Sequence, residues 1–192
     1  MNELTFVTGN QKKLAEAREI LPDFTINNIR LDLPEIQSVR VVDVITAKLA
    51  DAVKQVSNAK NIVCEDTGLF IAKWNNLPGA LIKHHLEHLG TKKLCELTAG
   101  SDADAVTVVG YQYDATSAPQ YFTGKVRGKI SWLHPTSLTD TFGWDPIFIP
   151  KVDPENTFSF AEMSSEQKSA ISMRAQAFRK LGDFLRKSRV DC

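Results

Sequence analysis

The 192-residue chain has no excess of charge of either sign, with 23 Lys and Arg set against 23 Asp and Glu. A protein that lives by neutralising a phosphodiester backbone normally gathers a basic surplus, so nucleic acid is not an expected partner. Any bound anion should be small. Long hydrophobic runs are missing as well. No stretch approaches the roughly 18 apolar residues of a membrane span, and residues 1–21 lack the basic-then-apolar order of a signal peptide. A cytoplasmic protein with no membrane partner is expected. Cysteine is scarce: Cys64, Cys95 and Cys192 are odd in number, widely spaced and without a CxxC pair. That pattern supports neither a disulfide framework nor a zinc knuckle and leaves core or surface thiols. Repeats, low-complexity tracts and long linkers are also missing, so residues 1–192 read as a single domain.

What is present alternates strand and helix signals. Leu4 to Val7 reads as a short strand broken by Thr8-Gly9-Asn10, after which Leu14, Ala17, Ile20 and Leu21 recur at helical spacing. Asn10 serves as the N-cap and Pro22 as the stop. A second extended stretch runs from Phe24 to Leu33. Val42, Ile45, Leu49, Ala52, Val53 and Val56 then predict a long helix with Lys48 and Asp51 off the centre of its buried face. The apolar run Ile62-Val63-Cys64 places the acidic doublet Glu65-Asp66 at the end of a buried strand, with Thr67-Gly68 as a turn. Helices are expected over Ala80 to Leu89 and Lys92 to Leu97, a hairpin over Val106 to Tyr113 and Tyr121 to Ile130, and an amphipathic helix over Ser172 to Lys187. Parallel-type order at the start and an antiparallel hairpin later give an α/β class: a mixed central sheet flanked by helices.

Several places could carry chemistry. Thr8-Gly9-Asn10-Gln11-Lys12-Lys13 sets a glycine, a polar cap and two lysines where a strand feeds a helix. Backbone N–H groups and the positive end of the helix dipole gather at such a turn, which suits a phosphate. The Walker spacing GxxxxGK is missing, and a plain capped helix with solvated lysines produces the same pattern. Glu65-Asp66 follows three apolar residues, and a buried carboxylate requires Mg²⁺, a lysine or a proton beside it. Neighbouring strand residues point to opposite faces, so one of the pair is expected in a given cleft, and Asp66 is the choice. Leu33-Pro34-Glu35 offers a second acid. Phe142-Gly143-Trp144-Asp145-Pro146 sets two aromatic faces and a carboxylate around a glycine, an arrangement for stacking a base or for plugging the core. Lys168, Ser172 and Arg174 gather at the start of the last helix, with Arg174 on the face of Phe178 and Leu181. A guanidinium there is either paired within the protein or reserved for a ligand. His84, His85 and His88 read HHLEH rather than HExxH and suggest no zinc site. Gly124 and Gly128 share one strand face and permit close packing.

Taken in order, these motifs resemble the inosine triphosphate pyrophosphatase family over almost the whole chain. The likeness runs through Phe6 to Asn10 with Lys13-Leu14, Leu33 to Gln37, Glu65 to Leu69, and Leu77-Pro78-Gly79 with Ile82-Lys83. It continues through Gly124 with Gly128 and Ile130, Phe142 to Pro146, Phe160 to Met163, and Lys168 to Arg174. The resemblance implies two lobes with the active site in the cleft between them, a homodimer, and hydrolysis of ITP, dITP and XTP to the monophosphate and pyrophosphate. By the same analogy Thr8, Gly9, Asn10, Gln11, Lys12 and Lys13 would hold the phosphates with Lys48 and Lys83. Glu35 and Asp66 would bind Mg²⁺ or another divalent ion, and Thr67 would contact the substrate. Phe142, Gly143, Trp144, Asp145, Lys168, Met173 and Arg174 would surround the base. Asp66 would be the catalytic residue, acting on the attacking water as base, metal ligand or both. Two other readings stay open: a related pyrophosphatase for pyrimidine or other modified nucleotides, and a nucleotide sensor that does not hydrolyse.

One position departs from the family pattern. Where the family reads Ser-His-Arg, this chain reads Ser172-Met173-Arg174, replacing a ring donor with a weakly accepting thioether. Met173→His is therefore expected to sharpen the preference for ITP over GTP, read as the ratio of their kcat/KM values; an unchanged ratio would remove base discrimination from this position.

Overall fold

The computed structural model describes residues 3–56, 60–132, 143–153 and 155–190. Phe142 and Cys192 lie outside the described residues. The chain begins with β1 (Glu3–Val7), which turns through Thr8 to Asn10 into α1 (Gln11–Ile20). The turn is built from side-chain caps: Asn10 Oδ1 accepts from the Lys13 amide and Thr8 Oγ1 accepts from the Asn10 amide, each at 3.1 Å, satisfying donors that a helix start leaves over. β2 (Thr25–Ile29) is shorter than the extended stretch expected from sequence. It stops where its partner stops, since the register runs from Glu3 opposite Thr25 to Val7 opposite Ile29.

There follow α2 (Val41–Gln55), β3 (Ile62–Ile71), β4 (Leu77–Gly79) and α3 (Ile82–Thr98), the last broken at Gly90, whose φ of 71° lies in the left-handed region. The two helices expected on either side of that point are its two halves. β5 (Asp102–Gln112) and β6 (Gln120–Ile130) form the expected hairpin, and β7 (Phe148–Pro150), α4 (Ser165–Ile171) and α5 (Met173–Val190) complete the described chain. The sheet order is β2-β1-β3-β5-β6-β7, with β4 also on β3. Pairing is parallel from β2 to β3 and antiparallel from β3 to β7, so the mixed α/β sheet is borne out.

Helices cover both faces of this sheet, and the alternation of strand residues shows which covers which. Val63, Val109 and Tyr111 pack with Leu14, Ala17, Phe178 and Leu181 of α1 and α5. The alternate residues Ile62, Cys64 and Val108 pack with Val41, Ile45 and Leu49 of α2. A third cluster joins the far ends of β3, β5 and β6 to α3, Trp144, Phe148 and Phe160.

One expectation is corrected. Glu65-Asp66 is not at a strand end, and Thr67-Gly68 is not a turn: all four lie inside the ten-residue β3. Continuous antiparallel pairing with β5, from Ile62 opposite Gln112 to Ile71 opposite Ala103, carries the strand through its polar centre. The other edge is different. There β1 pairs only at Ile62 and Val63, and β4 only from Leu69 onward. Residues 64 to 68 of β3 thus have an open edge among the described strands.

Gly124 lies on β6 opposite Thr107, and a carbon added to it would overlap the Met173 carbonyl oxygen. The first turn of α5 can press onto the sheet only because no side chain stands there. Gly124→Ala is expected to destabilise the protein by about 1–3 kcal/mol, the usual cost of overpacking, seen as a lower urea midpoint. Gly9→Ala, whose added carbon meets nothing within 4 Å, should change stability by no more than about 0.5 kcal/mol.

Candidate active site

The open edge of β3 forms the floor of a cleft of about 1160 Å³. One wall is the β1–α1 turn with Lys13. Another is the irregular segment from Leu31 to Glu35 together with Lys48 of α2, and a third comes from Ile82 to Glu87 of α3. Gly143, Trp144, Asp145, Met173 and Arg174 close the remaining side.

Charge is concentrated on the floor. Glu65 and Asp66 point to opposite faces of the sheet, as alternation requires, yet both line the cleft, because it opens at the edge of the strand rather than over one face. That overturns the expectation that only one of them would reach it. Lys13 Nζ meets both, at 2.8 Å from Glu65 Oε2 and 3.8 Å from Asp66 Oδ1. On the α2 side, Lys48 Nζ lies 2.6 Å from Glu35 Oε1 and 3.8 Å from Asp66 Oδ1. Lys83 Nζ approaches Glu35 Oε2 at 3.9 Å.

The two acids of the doublet respond differently. Burial pushes the Glu65 carboxyl up, but Arg174 and Lys13 outweigh it and hold the pKa down at about 2. Burial also raises Asp66, and here it prevails: Lys13 and Lys48 pull downward from a greater distance while the Glu65 charge pushes up. For Glu35, pairing with Lys48 overcomes burial and lowers the pKa. Asp145 is raised by burial despite Lys168 Nζ at 2.6 Å. Cys64 lines the same cleft as a buried thiol pushed up to about 12, chiefly by burial, which leaves it protonated and unreactive at neutral pH.

Most residues singled out in the sequence meet here: Thr8, Gly9, Asn10, Lys13, Glu35, Lys48, Asp66, Thr67, Lys83, Gly143, Trp144, Asp145, Met173 and Arg174 all line the cleft. Gln11 and Lys12 do not; they point outward from the exposed side of α1. Lys168 stands behind the lining and reaches it through Asp145. Trp144 is a core residue as well, edge-on to Phe148 with centroids 5.3 Å apart, and Met173 is 2% exposed in the same cluster. The alternatives for Arg174 resolve to pairing within the protein: its guanidinium donates to Glu16 and lies 3.4 Å from Glu65. Glu16 was missed. It is three residues beyond Lys13, on the same flank of α1, and that spacing was the available signal. Thr107 was missed too, and inside the run Ala105-Val106-Thr107-Val108-Val109 the lone hydroxyl was the only mark it carried.

Among the described residues no group of three or more His, Cys, Asp or Glu is gathered to hold a metal. Glu35 and Asp66 instead flank a shared lysine. Two hard oxygen donors suit Mg²⁺ when water and phosphate oxygens fill the other positions, so this donor set fits an ion that arrives with a nucleotide.

Residues 4–184 match the Ham1 family. The chain is 36% identical to an inosine triphosphate pyrophosphatase of Saccharomyces cerevisiae, covering 96% of each chain. It is 32% identical to a dITP/XTP pyrophosphatase of Methanopyrus kandleri over 95% of each. The structure of a HAM1 protein from Coxiella burnetii superimposes with a TM-score of 0.79 at 26% identity, over 97% of this chain and 100% of that one.

The Glu65 pairing has an acid signature. A carboxylate whose pKa falls from the ordinary 4.5 to about 2 on folding adds stability that is complete above 4.5 and lost as pH drops toward 2. Glu65→Gln should cost about 3 kcal/mol at pH 7, since it strands Arg174 and Lys13 beside a neutral amide. The gap between variant and wild type should narrow steadily in urea titrations from pH 5 to pH 2. A constant gap would show that Glu65 does not carry this charge in the folded state.

Proposed function

The chain belongs to the Ham1 family, and from that premise we propose that it is a nucleoside triphosphate pyrophosphatase that converts ITP, dITP and XTP to the monophosphate and pyrophosphate. The observation that carries this reading is the line of alternating charge across the open edge of β3: Glu65, Lys13, Asp66, Lys48 and Glu35 in succession. A triphosphate laid along it would meet lysines already fixed in place. The start of α1, capped by Asn10, adds the positive end of a helix dipole beside Lys13. Electrostatic stabilisation by groups fixed in advance is the largest general source of rate enhancement for phosphoryl chemistry.

The chemistry then follows from what each side chain can do. Water attacks the α-phosphorus, the bond to the bridging oxygen breaks, and pyrophosphate leaves with its developing charge facing Lys13 and Lys48. Asp66, on the cleft floor between Lys13 and Lys48, is the residue placed to take the proton of the attacking water. Glu35 and Asp66 would hold a divalent ion such as Mg²⁺, which when bound neutralises triphosphate charge and polarises the phosphoryl oxygens. Glu65, pinned between Lys13 and Arg174, stays ionised and serves as scaffold rather than base. At the base end a 6-oxo purine presents an acceptor where adenine presents an amino donor, a difference that a donor lining that end of the cleft can read. Resemblance to the family also supports a homodimer and a cytoplasmic location. No helix of the described residues is long and apolar enough to cross a membrane.

The test is pyrophosphate release from ITP, dITP and XTP beside dTTP and UTP, with Mg²⁺ and after its removal by EDTA. The purine substrates should be turned over far faster than the pyrimidines, activity should vanish with EDTA and return with added Mg²⁺, and Asp66→Asn should lose at least about 100-fold in kcat. Most of the rate surviving in that variant would remove the base from Asp66, and preferential turnover of dTTP or UTP would replace the substrate class.

A further inference from the structure

Thr107 is completely buried on β5 and does not line the cleft. It sits directly opposite Thr67 of β3, and the two hydroxyl oxygens are 2.7 Å apart. Opposed residues of antiparallel strands share a face, so Thr107, Thr67 and Glu65 all look toward α1 and α5. On the next strand Gly124 stands opposite Thr107. The row ends in a residue with no side chain, and the start of α5, bearing Arg174, occupies the space.

Thr67 Oγ1 lies 2.6 Å from Glu65 Oε1, and an ionised carboxylate only accepts, so the single Thr67 proton goes there. Thr107 must then be the donor to Thr67. Arg174 NH2 approaches the same oxygen at 3.5 Å. The Thr67 hydroxyl is thereby committed within the protein, giving to Glu65 and receiving from Thr107. Thr67 therefore steadies Glu65, and its rotor is set from behind by Thr107.

We propose that Thr107 is a positioning residue for hydrolysis, fixing the Thr67 hydroxyl so that Thr67 holds Glu65, and through it Lys13, in the geometry the reaction needs. The role rests on the pyrophosphatase reading above and adds to it a residue that touches no substrate. Valine at position 107 would preserve the branched shape among Val106, Val108 and Val109 but remove the donor, so Thr67 could turn its proton away from Glu65. Misplacement of about 1 Å can cost on the order of 100-fold in rate, and loosening one rotor should cost a fraction of that.

Steady-state kinetics on ITP with Mg²⁺ test the idea. Thr107→Val should lower kcat about tenfold with KM within about twofold, and Thr107→Ser, which keeps the hydroxyl, should retain at least about half of wild-type kcat. The double variant Thr67→Val with Thr107→Val should be no slower than Thr67→Val alone, because the second change acts through the first. Wild-type kcat in Thr107→Val, a loss that serine does not rescue, or additive losses in the double variant would each overturn the proposal. A second measurement needs no turnover. In the protein without added nucleotide, the Thr67 hydroxyl proton should give a slowly exchanging downfield NMR signal in wild type and Thr107→Ser, displaced or lost in Thr107→Val. An unchanged signal would overturn the role of Thr107 alone, whereas a wild-type enzyme inert toward ITP would overturn the functional reading alone.

Discussion

A carboxylate with no exposed side-chain surface, held between a lysine from one helix and an arginine from another, is the contact on which the rest of this molecule depends. Glu65 meets Lys13 of α1 at 2.8 Å and Arg174 of α5 at 3.4 Å. Burying a charge costs several kcal/mol unless partners and hydrogen bonds compensate. Here the compensation comes from opposite ends of the sequence, so the pairing can form only when α1, β3 and α5 are assembled together. It makes the position of Lys13, and with it the phosphate end of the cleft, conditional on the last helix. Gly124 is the steric counterpart of that electrostatic condition, since a side chain there would hold the start of α5 away from the sheet.

The cleft itself follows from an interruption in strand pairing. β5 occupies one edge of β3 throughout, but the opposite edge is taken by β1 at one end and β4 at the other. Between them five residues are left for something other than a strand, and these include both acids. Hydrophobic strands packed between helices normally hide their polar backbone completely. The gap supplies an entrance to the middle of a buried sheet without uncovering either face, which is how Asp66 can be largely buried, with a raised pKa, and still lie beside two lysines in an open cleft.

Much of this was legible in the residues, and the failures have a common cause. Asn10 as a cap, the helical face of α2 with Lys48 at its margin, the break in α3 at Gly90 and the hairpin of β5 and β6 are local matters, decided by neighbours within a few positions. The continuation of β3 through Glu65-Asp66-Thr67-Gly68 is not local. A polar stretch ending in glycine reads as a turn, and only pairing with β5 over ten residues keeps it extended. The same distance in sequence hid Glu16, whose partner Arg174 is 158 positions away, and Thr107, whose partner is 40 away. Gln11 and Lys12 belong to the same run as Asn10 and Lys13 but lie on the exposed side of α1. A motif written as a run includes residues that a helix turns outward, because successive positions step through 100°.

The charge network also bears on how the two ends of the cleft communicate. Glu65 is shared between Lys13, next to the phosphate turn, and Arg174, next to the residues assigned to the base. A partner taken from one side changes the field felt by the other, because both cations lean on the same two oxygens. Arg174 is in turn shared with Glu16, and Glu16 with Lys168 at 3.4 Å, which holds Asp145. The two flanks of the cleft are in this way joined by direct electrostatics through one buried carboxylate.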